Sequence, residues 1–221
     1  MQCLTEDFIS FFKELAANNH KEWFHENKKR YESSVKKPFT VFVGKMIEEI
    51  QKVDANLMIE PKDCILRINR DIRFSKDKTP YNLHYTAFIS RGGKKDKSIP
   101  GFFVRFSPEM VGIMGGCFGP DKEQLLKIRT KIKEDPKTFR KLIEEQQFIE
   151  HFGELKGEAM KRIPKEWQQA IEKEPYIANK QFYFVTEKPS DLILSEQLIE
   201  ELIGYWKIMQ PLNDYLTKAI Q

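Results

Sequence analysis

Between residues 64 and 119 the chain holds four short apolar segments, "CILRINRDIRF", "HYTAFIS", "GFFVRFS" and "MVGIMGGCF", joined by turn-like connections. Each is rich in Ile, Val, Phe or Tyr and reads as a strand. Parallel neighbours need a crossover of about a dozen residues or more, usually a helix, and no helix fits between these segments. The sheet is therefore expected to be mostly antiparallel.

Helical periodicity flanks this region on both sides. Phe8, Phe11, Phe12 and Leu15 recur at i, i+3, i+4 and i+7, the spacing of one buried helical face. Asn18 and Asn19 interrupt it, and a second helix is expected near Lys21, with Trp23, Asn27 and Tyr31 on one face. Pro38 suits a first helical turn, and Phe39, Phe42, Val43, Met46, Ile47 and Ile50 follow the same period. After the sheet, "DKEQLLKIRTKIKE" is helical, breaks at Asp135-Pro136, and resumes through Phe139, Leu142 and Ile143. "KQFYFVTEK" (180–188) reads as one late strand. A long amphipathic helix follows from Ser195 through Leu198, Leu202, Trp206 and Met209, with Pro211 expected to kink or split it. The expectation is one α+β domain over 1–221: helical 1–55, a sheet at 60–119, helical 120–175, the strand 180–188 and a terminal helix 195–221.

Composition narrows the class of protein. Of 221 residues, 40% are hydrophobic and 32% charged, which suits a globular chain. The net charge of +4, from 37 basic and 33 acidic side chains, is too mild to imply nucleic acid by itself. Cys3, Cys64 and Cys117 are odd in number and widely spaced, which suggests neither a disulfide framework nor a zinc knuckle. Glu6 and Asp7 stand where a secretory leader would be basic, and no apolar run approaches the roughly 20 residues that span a bilayer. The expected location is cytoplasmic, with no membrane partner and no oligomeric state implied.

One stretch concentrates charge: "RINRDIRFSKDKTPY", residues 67–81, carries three arginines, two lysines and two aspartates. Read as a strand from 64 to 74, it turns Leu66, Ile68, Ile72 and Phe74 to the core and Arg67, Asn69, Asp71 and Arg73 to the other face. Arg70 falls in the apolar row. Either a bulge turns it outward, or it enters the interior and meets a carboxylate such as Asp77. Pro80 holds Thr79 extended, so Tyr81 leaves the charged turn in a defined direction.

The same stretch carries a resemblance. It matches R-x-x-R-D-x-R-F-x-x-[DN]-K-x-x-Y, the signature of an uncharacterised, largely bacterial family called domain of unknown function 2461. Arg67, Arg70, Asp71, Arg73, Phe74, Asp77, Lys78 and Tyr81 all fit it. "FFKELAANNHKEWFHENKKRYE" upstream and "GGCFGPDKEQLLKIR" downstream look like that family too. The resemblance implies a single domain over essentially the whole chain, with no established activity.

Arginine forks hold carboxylates and phosphates in a bidentate way. Arg67, Arg70, Arg73 and Lys78 are therefore candidates to grip a small anionic, phosphorylated ligand in a cleft beside the strand. Asp71 and Tyr81 would orient it, or transfer protons if chemistry occurs, while Phe74 and Asp77 are assigned structural roles in the motif. Whether the chain is an enzyme stays open. Two alternatives stand beside this reading. Asp71 and Asp77 could lock the arginines into a purely structural lattice. Or the basic face could meet nucleic-acid backbones or a protein, with Phe74, Tyr81, Tyr85 or Phe103 stacking on bases and "RGGKKDK" (91–97) touching phosphates.

The other candidates are weaker. "GIMGGCFGPDK" (112–122) is a glycine-rich strand-to-helix turn without the G-K-[ST] ending of a P-loop, and Asp121 and Glu123 occupy the helix start that an anion would want. Tight packing is the expected reason for its glycines. His20 and His25 lie five apart, not four, so no metal site and no cofactor are implied. The resemblance places the upstream segment and the arginine strand both among the family's characteristic ones, which implies that Asn18, Asn19 and Lys28 could line the same cleft as the arginine strand. Cys64 and Cys117 are expected to be inert packing residues.

Overall fold

The computed structural model describes residues 3–221. Its chain has helices at both ends and a four-stranded antiparallel sheet in the order β1-β2-β3-β4, which makes the fold α+β. The chain divides into two compact units.

The first unit comprises the chain up to Lys94 with Phe103–Ile113 and Glu187–Ile203. It opens with α1 (Glu6–Ala17), which ends at Asn18, and α2 (Lys21–Glu26). The chain then runs through α3 (Lys28–Arg30), a π-helical turn (Tyr31–Lys36) and α4 (Lys37–Gln51), with Pro38 in the first turn of α4. The periodic apolar positions of α1 and α4 are all buried. Phe106 is the centre of this core, with its ring centroid 4.9 Å from Phe42, 5.5 Å from Phe39 and 6.3 Å from Phe8. The π turn sets Tyr31 against the sheet, where its hydroxyl donates to that of Tyr85 at 3.0 Å in the interior. A short helix, α5 (Pro61–Cys64), precedes the arginine-rich segment.

Three of the four strand-like segments form strands: β1 (Tyr85–Ile89), β2 (Phe102–Phe106) and β3 (Met110–Cys117). Ser107 closes the β2–β3 hairpin, its N–H donating to the Met110 carbonyl at 3.0 Å. The fourth expectation is corrected: residues 64–74 are not a strand. Cys64 ends α5, and among the described residues the segment then pairs with β1 and its approach at two isolated antiparallel bridges, Ile65 with Ala87 and Asn69 with Tyr81. Three residues lie between the bridges on one side and five on the other, so two extra residues bulge out of the 81–87 side and interrupt the ladder between them.

The second unit comprises Lys95–Phe102, Met114–Thr186 and the chain from Gly204 onward. Helix α6 (Lys122–Glu134) starts with a capping box in which Asp121 and Gln124 satisfy each other's backbone N–H groups. Asp135 caps α7 (Pro136–Ile143), so the expected break at Asp135-Pro136 is a helix start. Helices α8 (Gln146–Phe152) and α9 (Gln168–Lys173) follow, then β4 (Phe182–Pro189), the late strand, whose last residues belong to the first unit. Phe184 of β4 lies 4.9 Å from the rings of both Phe148 and Phe152. The final helix, α10 (Leu198–Ile220), runs through Pro211 without being split.

The glycine-rich turn is a packing device. Gly116 has φ +90°, and its N–H donates to Asn213 Oδ1 at 2.8 Å in the interior. A side chain there would run into the Phe182 carbonyl, and one at Gly115 into the Phe184 ring. Its amide is thus already committed, and Asp121 closes the following helix start. Cys64 and Cys117 are buried, and burial pushes both thiols up to about 12, which leaves them protonated and unreactive near neutral pH.

Candidate functional site

The arginine-rich segment is held at its base and open at its tip, all within the first unit. At the base, the Leu66 N–H donates to the Thr86 carbonyl and the Asn82 N–H to the Ile68 carbonyl, while Ile68 itself is buried. Lys94 Nζ donates to the carbonyls of Lys62 and Ile65. Higher up, the Arg70 N–H donates to the Pro80 carbonyl at 2.9 Å. Beyond this point, among the described residues, no neighbouring strand pairs with the chain, and side chains organise it instead.

Arg70 resolves toward Asp77. Its Nη1 reaches the Asp77 carboxylate and the Thr79 carbonyl and hydroxyl, with 24% of the side chain exposed. Asp77 also accepts from the Thr79 N–H and Oγ1, both at 2.9 Å, which closes a local Asx turn. The Thr79 N–H, followed by the Arg70 guanidinium, holds the Asp77 carboxyl near 2. Asp77 thus joins Arg70 to the Thr79 turn. The pair meets in an open turn, not in the interior.

Asp71 and Arg73 close on each other two residues apart. Arg73 donates from Nε at 2.9 Å and Nη2 at 2.7 Å to the two carboxylate oxygens. The Arg73 guanidinium lowers the Asp71 carboxyl to about 2, which makes it a poor proton acceptor near neutral pH. Lys78 Nζ donates to the Ile72 carbonyl at 2.9 Å, and the Ser75 N–H donates to the same oxygen. This closes a tight turn over Ile72–Ser75. Arg67, Lys76 and Lys78 have no carboxylate within 4 Å among the described residues.

Phe74 corrects the expectation of a structural, core-facing residue: it is 96% exposed at the tip of the Ile72–Ser75 turn. Alternation carries a side chain to the core only while the backbone stays extended, and the turn breaks that run. Its ring instead lies against Arg73, whose Cζ is 5.8 Å from the ring centroid.

Tyr81 stands apart from the arginines. It is only 7% exposed, and its ring stacks on Phe24 with centroids 4.0 Å apart and planes 18° from parallel. Burial raises its phenol above the ordinary value, with the Glu22 charge adding to it, so proton donation becomes harder. The Asn19 amide holds its backbone at both polar atoms. Beside it lies an open hollow of about 650 Å³, lined by Tyr81, Phe24, Lys21, His25 and Lys28, with Glu22 and Glu26 offsetting the lysines. Lys28 thus shares a hollow with the last residue of the motif, whereas Arg67, Arg70 and Arg73 do not line it. Asn19 serves as a backbone clamp, a role that its type and spacing did not signal. His20 caps α2 by accepting from the Trp23 N–H.

Among the described residues, no group of three or more His, Cys, Asp or Glu side chains is placed to hold a metal ion, and no helix is long and apolar enough to cross a membrane. In comparisons with known proteins, the family model described as "Conserved hypothetical protein (DUF2461)" matches residues 7–215. No curated protein and no solved structure matches the chain significantly.

Proposed function

We propose a ligand class for this chain, which belongs to the family of conserved hypothetical proteins DUF2461: it binds a phosphate-bearing anion on the basic face of its arginine-rich segment. The observation that carries this reading is the charge left over after internal pairing. Residues 67–81 hold five cations and two aspartates, and each aspartate is closed on one arginine. Among the described residues Arg67, Lys76 and Lys78 have no carboxylate within 4 Å, and exposed cations of that kind are what a phosphate would meet. Arg73 can join them by sharing its guanidinium between Asp71 and the ligand. In the small-ligand form of this reading, the hollow beside Tyr81 receives the rest of the molecule and Lys21 and Lys28 add charge there. Binding is favoured over catalysis, because Asp71 is held ionised and Tyr81 is shielded.

A second reading has its own support. The network of Arg70, Asp77 and Thr79 is a closed structural unit, and the segment could be no more than an ion-pair lattice. Calorimetric titration with tripolyphosphate and with sugar phosphates separates the two. The anion reading expects binding that Arg67→Gln combined with Lys76→Gln abolishes without loss of fold. Absence of heat from every phosphate compound would leave the lattice.

A further inference from the structure

Phe74 is the least covered aromatic ring in the segment, and it is held in that position. The Ser75 N–H and Lys78 Nζ both bind the Ile72 carbonyl, which fixes the turn, and Asp77 locks the chain that follows. These bonds fix the backbone from which the ring projects. Its neighbours in sequence are Arg73, Lys76 and Lys78. A π-face and unmatched cations on one open turn are complementary to a ligand in which unstacked bases alternate with phosphates. A duplex keeps its bases inside, whereas a single strand offers them. The other aromatics of the region are not available: Tyr81 and Tyr85 are buried and Phe103 is half-buried.

We infer that the anion taken by this segment is single-stranded nucleic acid, with Phe74 as the platform on which a base stacks and Arg67, Lys76 and Lys78 contacting the backbone. This rests on the anion-binding reading above and names its ligand.

The test uses the full chain and a short fluorescently labelled oligothymidylate, followed by anisotropy over a range of salt concentrations. Wild type is expected to bind, with a log–log salt slope of about −2 for three phosphate contacts. Phe74→Ala is expected to bind about tenfold more weakly with the same slope, and Phe74→Trp to restore binding. Because Phe74 is 96% exposed, an unchanged melting temperature for Phe74→Ala verifies that the fold is intact. Equal binding by wild type and Phe74→Ala, both weakened by Lys76→Gln, would overturn the stacking inference and leave the anion reading standing. Competition by free thymidine monophosphate at equal nucleotide concentration would overturn the polymer. No binding of the oligonucleotide would overturn the inference outright, and tripolyphosphate then decides the anion reading separately.

Discussion

The side-chain amide of Asn19 clamps the backbone of Tyr81 at both of its polar atoms: Nδ2 donates to the Tyr81 carbonyl at 2.9 Å, and the Tyr81 N–H donates to Oδ1 at 3.1 Å. A carboxamide here does the work of a neighbouring strand. The clamp ties the loop between α1 and α2 to the end of the arginine-rich segment, and it satisfies backbone groups next to the point where the ladder ends. Asn19→Ala leaves two partly buried backbone groups unpaired. It is expected to cost about 1–3 kcal/mol, or about 2–4 °C of melting temperature per kcal/mol. Asn19→Asp keeps the acceptor and loses the donor, so it should fall between wild type and Asn19→Ala. Thermal unfolding of both variants checks the order.

The two paired arginines differ in what they hold. Arg70 serves the Asp77–Thr79 turn and is largely covered, whereas the Arg73 side chain is 76% exposed, pairs with Asp71 and lies against Phe74. Arg70→Ala is expected to lower the melting temperature by several degrees, and Arg73→Ala to leave it nearly unchanged, because exposed pairs contribute little. Equal losses for the two variants would contradict this division.

Burial, with the Arg105 charge adding to it, lowers His84 to about 4 from an ordinary 6.5. Its folded form therefore resists the proton that the unfolded chain accepts. The unfolded state binds more protons between these two values, so stability should fall as pH drops from about 6.5 to about 4. Asp71 and Asp77, both lowered, add a further loss only as pH falls below about 3.8 toward 2. A melting-temperature profile for wild type against His84→Gln tests the first window, where the variant's curve should be flatter.

Gly115→Ala is expected to destabilise by about 1–3 kcal/mol through overpacking. A Cβ there falls on the ring of Phe184 and 2.9 Å from Met209 Sδ. A neutral result in thermal unfolding would contradict the packing account of the glycine-rich turn.

Much of the architecture was legible because it depends on periodicity. The apolar positions of α1 and α4 and the strands β1 to β4 follow from spacing that only one backbone conformation can bury. Asp135-Pro136 was legible as a boundary for the same local reason. The arginine-rich segment was not, because a strand needs a partner as well as a pattern. Residues 64–74 alternate plausibly, yet their partner bulges between Tyr81 and Ala87, and the ladder ends at Asn69. With the ladder gone, Phe74 sits at a turn tip. Arg70 in the apolar row was the local sign of this failure: Asp77 is the carboxylate it meets, but in an open turn instead of the interior. The role of Asn19 could not be read at all, since its partner lies 62 residues away.

The basic face of residues 67–81 is proposed to bind a phosphate-bearing anion. The most direct test of this is thermal unfolding of wild type and of Arg67→Gln combined with Lys76→Gln, against nucleotides, sugar phosphates, polycarboxylates and short oligonucleotides. A ligand at about a hundred times its dissociation constant adds roughly 2.7 kcal/mol, a rise of about 5–10 °C for a chain of this size. That rise is expected in the wild type with at least one phosphate-bearing compound, and is expected to be lost in a variant that melts at the wild-type temperature without ligand. No rise with any compound, or the same rise in the variant, would contradict it.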